Sequence, residues 1–381
     1  MTQDFAPLTG VRVLDFSHVI AGPLATLFLA QLGAHVTKVE NARGGDVMRN
    51  TEQGAQSFVA LNAGKECIEL DLTDPEHLQQ ARTLLAQADV LVDNLRPGVL
   101  EKLGLGFDAA RAVNPRIVYC AISGFGRHSA AWQGRPAYDH VVQAATGMTF
   151  MAGLEGDPPI KTGFPVVDSA TGLLAAFAIV SALRERDRTG QASFVDVSMT
   201  GAAMQLMYSF ACAALTDGTT PPRVGNQGYS GSPSADFFPT REGWIAVGAN
   251  TAPQLAALLD EIGLADTLTD PAVFDPPLAL SAKPAFVRAK DPAALKARLA
   301  QAFAGMTAQE IEDRLIRRGV PVSRLRNIAE FARDAQAVDG LHTVQLQSGD
   351  VSVCSPGLGF RVTRPADDRQ AADGANETAA A

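Results

Sequence analysis

The sequence predicts an α/β fold: a large domain on a Rossmann-like open parallel sheet, with a smaller α-rich domain. Three observations carry this. Residues 10–40 form a strand–helix–strand unit of about 30 residues, the length a parallel crossover needs. Short β-branched apolar runs then alternate with helical periodicities as far as about residue 200. After Thr216 the texture changes, first to Gly, Pro and Ser and then to three helical patterns in succession.

In order, GVRVLDFS reads as a buried strand bounded by Gly and Ser. LATLFLAQLGA has helical periodicity and stops at Gly33, and HVTKVE is the second strand. CIELDL is a third strand. DPEHLQQARTLLAQA is a helix with Asp74 as N-cap, Pro75 in its first turn and Glu76 beside it. DVLVDNL and RIVYCAISGFG are further strands. A long helix begins near Asp168 and is apolar almost all round over 173–183, so it should be buried. FVDVSM is a strand, and GAAMQLMYSFACAAL one helical segment. The expected limits are a large domain over 1–215, completed by about 325–365, a linker at 216–225 and a small domain over 226–319. A polar tail, 366–381, reads as disordered.

A net charge of −9 argues against a nucleic-acid scaffold, although local Lys and Arg can still hold a polyanionic ligand. The four cysteines form no CxxC pair, and the six histidines show no ligand spacing, so no metal is expected. MTQDFAPLTG lacks the pattern of a signal peptide, and the 173–183 run is too short to span a bilayer. A cytoplasmic protein without membrane partners is expected. GxGxxG is absent, as are the P-loop, GxSxG and HExxH, so a nicotinamide dehydrogenase is poorly supported.

Asp168 stands between GFPVV and the apolar stretch SATGLLAAFAIV. The plain reading is a helix N-cap; the functional one is a carboxylate kept ionised by the helix N-terminus and available as a nucleophile. The two are compatible. Arg43, Arg49, Lys65, Arg96, Lys102 and Arg135 fall near strand ends, where α/β sheets bind ligands, and read either as contacts to a phosphorylated ligand or as surface charge. The segment GYSGSPS reads either as a mobile loop over a site or as an interdomain linker.

Taken together, LTGVRVLDFSHVIAGPLATLFLAQLGAHVTKVE, GGDVMR, LNAGKECIELDL, LVDNLRPGVLEKLGL, NPRIVYCAISGFG, GRPAYDHVVQAATG, DSATGLLAAFAIVSALRERDRTG and VDVSM resemble the class III CoA-transferases, the family of formyl-CoA transferase and carnitine CoA-transferase. The resemblance runs in order from residue 8 to 200, and more loosely to 325. It implies that Asp168 is the nucleophile of a covalent relay that transfers coenzyme A from an acyl-CoA to a small carboxylic acid. It implies cofactor contacts at Ile20, Ala21, Asn41, Arg43, Leu70, Thr73, Asn94, Leu95, Arg96, Lys102, Arg135, Pro136, Ala137 and Tyr138. Asn41 stands where the family often has Arg, with Arg43 as a possible replacement. It places a substrate loop at Gly228, Tyr229, Ser230, Gly231 and Ser232, where the family has a glycine run, and oxyanion donors in that loop or at the helix start. It also implies a homodimer of interlocked rings. The rival within the superfamily is an α-methylacyl-CoA racemase, which needs an acid/base pair on opposite faces of its substrate. PAYDH and DSATG replace the segments typical of that branch. A noncatalytic CoA-binding protein is the rival outside it.

Overall fold

The structure, a computed structural model, describes residues 5–51, 54–128, 130–280, 285–337 and 343–363. The expected tail at 366–381 lies outside them. The described residues divide into two units: those from 5 to 149, 161 to 220 and 343 to 363 in the larger, those from 150 to 160 and 221 to 337 in the smaller.

The larger unit is built on β1 (Arg12–Asp15), β2 (His35–Asn41), β3 (Glu66–Leu70), β4 (Val90–Asp93), β5 (Val118–Ser123) and β6 (Ser193–Ser198). All pair in parallel, in the order β3-β2-β1-β4-β5-β6. The connections include helices α1 (Ala21–Gln31), α2 (Gly54–Asn62), α3 (Pro75–Gln87), α4 (Val99–Lys102), α5 (Phe107–Val113), α6 (Asp139–Ala145) and α7 (Val166–Thr189). Because side chains alternate along a strand, each central strand feeds two cores. Val90, Val92, Val118, Cys120 and Ile122 join α1 and α7 on one face. Leu91, Tyr119 and Ala121 join Ala81 and Leu85 of α3 on the other.

Helix α7 is long and apolar enough to cross a membrane by composition. Here Ala175, Ile179 and Leu183 are buried in the core, and Arg186 in its last turn donates to Asp89 at 2.7 Å. The opposite side was expected to be buried too, yet Leu173, Phe177 and Val180 are exposed. Gly172 sets how closely α7 approaches α1, since a Cβ there would lie 2.9 Å from the Ala21 carbonyl and 3.0 Å from Leu24 Cβ. The segment after β6, expected as one helix, is two: α8 (Met199–Leu206), capped by Ser198 Oγ on the Gly201 N–H, and α9 (Tyr208–Asp217).

In the smaller unit β7 (Ala235–Pro239), β8 (Trp244–Gly248) and β9 (Val322–Arg324) form an antiparallel sheet. Around it lie α10 (Ala252–Glu261), α11 (Pro292–Phe303), α12 (Ala308–Arg317) and α13 (Ile328–Ala337). Phe238, Ile245 and Val247 share a core with Leu255, Leu295, Phe303 and Leu315. The limits differ from those expected. Pairing of β9 with β8 carries the chain beyond 319 in this unit, and a bridge between Leu154 and Val224 ties residues 150–160 to it. The hairpin of β10 (Val344–Ser348) and β11 (Val351–Ser355) returns to the larger unit, where Leu346 packs with Leu27, Val59 and Ala63.

Candidate active site

In a sheet of this order, the crossovers from β1 and β4 leave in opposite directions. A crevice therefore opens beyond their carboxyl ends. A cleft of about 260 Å³ occupies that place. It is lined by the turn after β1 (His18–Ala21), the turn after β4 (Asn94–Pro97), the end of β5, residues 134–138, Met199 and Asp168.

The β1 turn is held from beneath by buried charge. Asp15 Oδ1 accepts from the Ser17 N–H at 2.8 Å, and Oδ2 accepts from Thr26 Oγ1 at 2.5 Å and Lys65 Nζ at 3.2 Å. Lys38 Nζ donates to the Ser17 carbonyl at 2.6 Å and pairs with Asp46 at 3.0 Å. Asp46 Oδ1 in turn accepts the N–H of Val19 at 3.1 Å. Val19 has φ +68, a left-handed conformation that a β-branched residue adopts only under constraint. Asn94 closes the turn from the other side, accepting from His18 N–H at 2.9 Å and donating to the His18 carbonyl at 2.7 Å. Burial pushes Lys65 down to about 8 against the pull of Asp15.

The β4 turn has its own anchor. Asp93 accepts from the Leu95 N–H and from the Tyr119 hydroxyl, both at 3.0 Å. Burial pushes its carboxyl up to about 6, while nearby Arg127 pulls the other way. Above these turns, Arg96 and Arg135 bring cationic side chains to the cleft wall. Neither makes an ion pair with the described residues. Arg135 lies over the Trp132 ring at 4.3 Å.

Asp168 is the third residue of α7, not its N-cap as expected; that place belongs to Pro165, whose side chain cannot accept a hydrogen bond. The cap comes from α6: Asp139 Oδ2 accepts the N–H groups of Val167 at 2.7 Å and Asp168 at 3.0 Å. The helix-start donors expected to serve an oxyanion are therefore occupied. Burial, reinforced by the charge of Asp139, pushes Asp168 up to about 6. It stays mostly ionised at neutral pH, though the helix terminus does not hold it low as the sequence suggested.

Of the expected contacts, Ile20, Ala21, Asn94, Leu95, Arg96, Arg135, Pro136, Ala137 and Tyr138 line this cleft with Asp168. Asn41, Arg43, Leu70, Thr73 and Lys102 do not. Arg43 is paired with Asp71 at 2.8 Å and offers its N–H to Asn41 Oδ1. Thr73 Oγ1 donates to Asp71 at 2.6 Å, Leu70 is buried, and Lys102 ends α4. Lys65 and Arg49 are not ligand-facing cations: Lys65 is wholly buried against Asp15, and Arg49 is paired with Glu40 at 2.7 Å. The 228–232 loop belongs to the smaller unit. There Ser230 donates to Asn250 Oδ1 at 2.5 Å, Gly231 accepts from Arg288 at 3.0 Å, Ser232 is buried, and Tyr229 is 89% exposed. Sequence reasoning missed His18, the Asp15–Lys65–Lys38–Asp46 network and Asp139. DFSH and PAYDH carried signals for the first and last.

Among the described residues no cluster of His, Cys, Asp or Glu has a metal-binding arrangement. The sequence matches the CoA-transferase family III over residues 8–372. It is 34% identical to an acyl-CoA transferase of Fusarium pseudograminearum over 93% of this chain and 79% of that one. It is 33% identical to an acetyl-CoA:oxalate CoA-transferase of Acetobacter aceti over 91% and 87%. A crystal structure of a CAIB/BAIF family protein from Brucella suis superposes with a TM-score of 0.80 at 26% identity, covering 98% of this chain and all of that one. Rv3272 of Mycobacterium tuberculosis does so at 0.79 and 31%, over 94% and 93%. With this breadth of match in sequence and in fold, the chain belongs to CoA-transferase family III and is an enzyme of that class.

Proposed function

We propose that the protein moves coenzyme A from an acyl-CoA donor to a small free carboxylic acid through a covalent intermediate on Asp168. The observation that carries this is the position of Asp168: an ionisable carboxylate in the switch-point cleft, which two cations without ion-pair partners among the described residues, Arg96 and Arg135, also line. A phosphorylated thioester suits such a surface.

The relay conserves acyl activation. The Asp168 carboxylate attacks the thioester carbonyl, the C–S bond breaks, and a mixed anhydride and a thiolate result. The thiolate then attacks the aspartyl carbonyl. The anhydride C–O bond breaks with its electron pair going to the donor acid, which leaves as a carboxylate. The acceptor carboxylate attacks the aspartyl thioester, and the same steps in reverse regenerate Asp168. No water enters, and its exclusion keeps the intermediates from hydrolysis.

The names of relatives suggest the acids. Acetobacter aceti has the acetyl-CoA:oxalate enzyme, Mus musculus a succinyl-CoA:glutarate CoA-transferase, and Haloarcula hispanica a succinyl-CoA:mesaconate CoA-transferase. A short mono- or dicarboxylic acid is the substrate class we infer. We further infer a homodimer, supported by the exposed apolar stripe Leu173, Phe177 and Val180 on α7 and by exposed Leu206, Tyr208 and Leu215 on α8 and α9.

Incubation with succinyl-CoA, acetyl-CoA or formyl-CoA, followed by hydroxylamine, tests the nucleophile. Mass spectrometry should find the hydroxamate on Asp168. No adduct with any of the three donors, in a protein that exchanges acids between them, would rule the relay out. Exchange of the α-proton without exchange of acids would point to the racemase reaction instead.

A further inference from the structure

We propose that Asp139 is a positioning residue for Asp168: its carboxylate ties down the first turn of α7 and places a second negative charge behind the nucleophile. This rests on the reading of Asp168 as the nucleophile.

The start of a helix leaves backbone N–H groups without partners, and Pro165 supplies none. Asp139, 9% exposed at the first position of α6, accepts the two from Val167 and Asp168 on one oxygen. Its other oxygen accepts from Gln143 Nε2 at 2.5 Å. Gln143 is wholly buried and grips the lead-in to α7: its Oε1 accepts the Thr162 N–H at 2.9 Å, and its Nε2 donates to Thr162 Oγ1 at 2.9 Å. Thr162 Oγ1 donates onward to the Phe164 carbonyl at 2.8 Å. Two consecutive segments, 162–164 and 167–168, are thus fastened to one side of α6. The backbone of Asp168 is held directly, so its side chain leaves the helix from a fixed origin.

The arrangement has a chemical consequence. In a mixed anhydride between Asp168 and the donor acid, the thiolate chooses between two carbonyls. The less basic carboxylate leaves more readily, a rule shared with thiol exchange. Burial makes Asp168 more basic than an ordinary carboxylate, and the Asp139 charge adds to this. In the anhydride of the first half-reaction the donor acid is then the better leaving group, and the thiolate is directed to the aspartyl carbonyl; in the anhydride with the acceptor acid the same bias favours return to the aspartyl thioester. The other titratable side chains of the cleft are His18 from the β1 turn, Arg96 from the β4 turn, and Arg135 and Tyr138 from the segment before α6.

Asp139→Asn keeps an acceptor for the two N–H groups and removes the charge; Asp139→Glu keeps the charge on a longer arm. With succinyl-CoA, acetyl-CoA or formyl-CoA as donor, D139N should lower kcat by about tenfold or more and leave the KM for the thioester within about twofold. Its acidic pH limb should move to lower pH. D139E should retain the wild-type limb but lose kcat, because the longer arm shifts the first turn. A kcat unchanged in both variants, or a D139N limb at the wild-type position, overturns the proposal. If D139N does not fold, D139E decides by kcat alone. Trapping on Asp168 in the wild-type enzyme separates the two ideas. With no adduct there, the nucleophile reading fails; with an adduct and no change in the variants, only the role of Asp139 fails.

Discussion

Asp168 combines two features that pull in opposite directions. Its carboxylate must be charged to attack, yet its surroundings favour the proton. With its carboxyl at about 6, activity should fall as pH drops below that value, and a kcat profile with an acidic limb near 6 checks it. The same shift has a sign for stability. A raised folded value means that the folded state holds the proton more tightly than the unfolded chain does. The benefit is complete below about 4 and lost as pH rises through about 6. Asp168→Asn should therefore raise stability at pH 7.5, by at most about 3 kcal/mol, with the gain vanishing toward pH 4. Thermal unfolding at the two pH values measures it. The same substitution should abolish turnover and leave CoA binding nearly intact, since the amide has the same shape and no nucleophilic oxygen. Calorimetry against CoA, beside an activity assay, separates the two effects. The sequence singled out this residue, but it placed the helix cap on Asp168 itself. The cap comes from 29 positions earlier in the chain, and no local spacing reveals such a pairing.

Two elements deserve separate tests. The turn between β1 and α1 rests on buried opposite charges, so cutting one partner weakens the hold on the other. Lys65→Met leaves Asp15 with Ser17, Thr26 and the more distant charge of Lys38 and should cost about 3 kcal/mol, read by chemical denaturation. Where α1 crosses α7, Gly172→Val forces the helices apart and should cost about 1–3 kcal/mol by the same measurement. Strands and helices were largely legible from period and caps. Asp74, for instance, accepts from the Glu76 N–H at 2.8 Å in the N-cap place its sequence suggested. Lys65 was not legible: beside a strand it looks like a surface cation, and only the folded chain brings its ammonium to Asp15, 50 residues away.

For the whole molecule, the open parallel sheet and the family were foreseeable, because short apolar runs and the order of many short segments both survive in one sequence; the strand order came only from the structure. Unit limits were less so, since β9 joins β8 from about 75 positions away and leaves no composition signal. The sequence also read α7 as buried on all sides, since apolar residues surround it. The exposure of Leu173, Phe177 and Val180 shows where the unit stops covering its own helix. Phe177→Asp should shift the protein toward a monomer in light scattering coupled to size exclusion, by placing a charge in the stripe. A protein that remains monomeric without the substitution would rule out the dimer.

The left-handed Val19 bears on how tightly this enzyme can hold its thioester. A turn already frozen into an unfavourable shape by Asp46 and Asn94 has met the cost of its ordering during folding. No conformational entropy of that segment then remains to be lost when a ligand arrives. The amide of Val19 should consequently resist hydrogen exchange as strongly without coenzyme A as with it. In that respect the empty cleft and the filled one share the same rigidity.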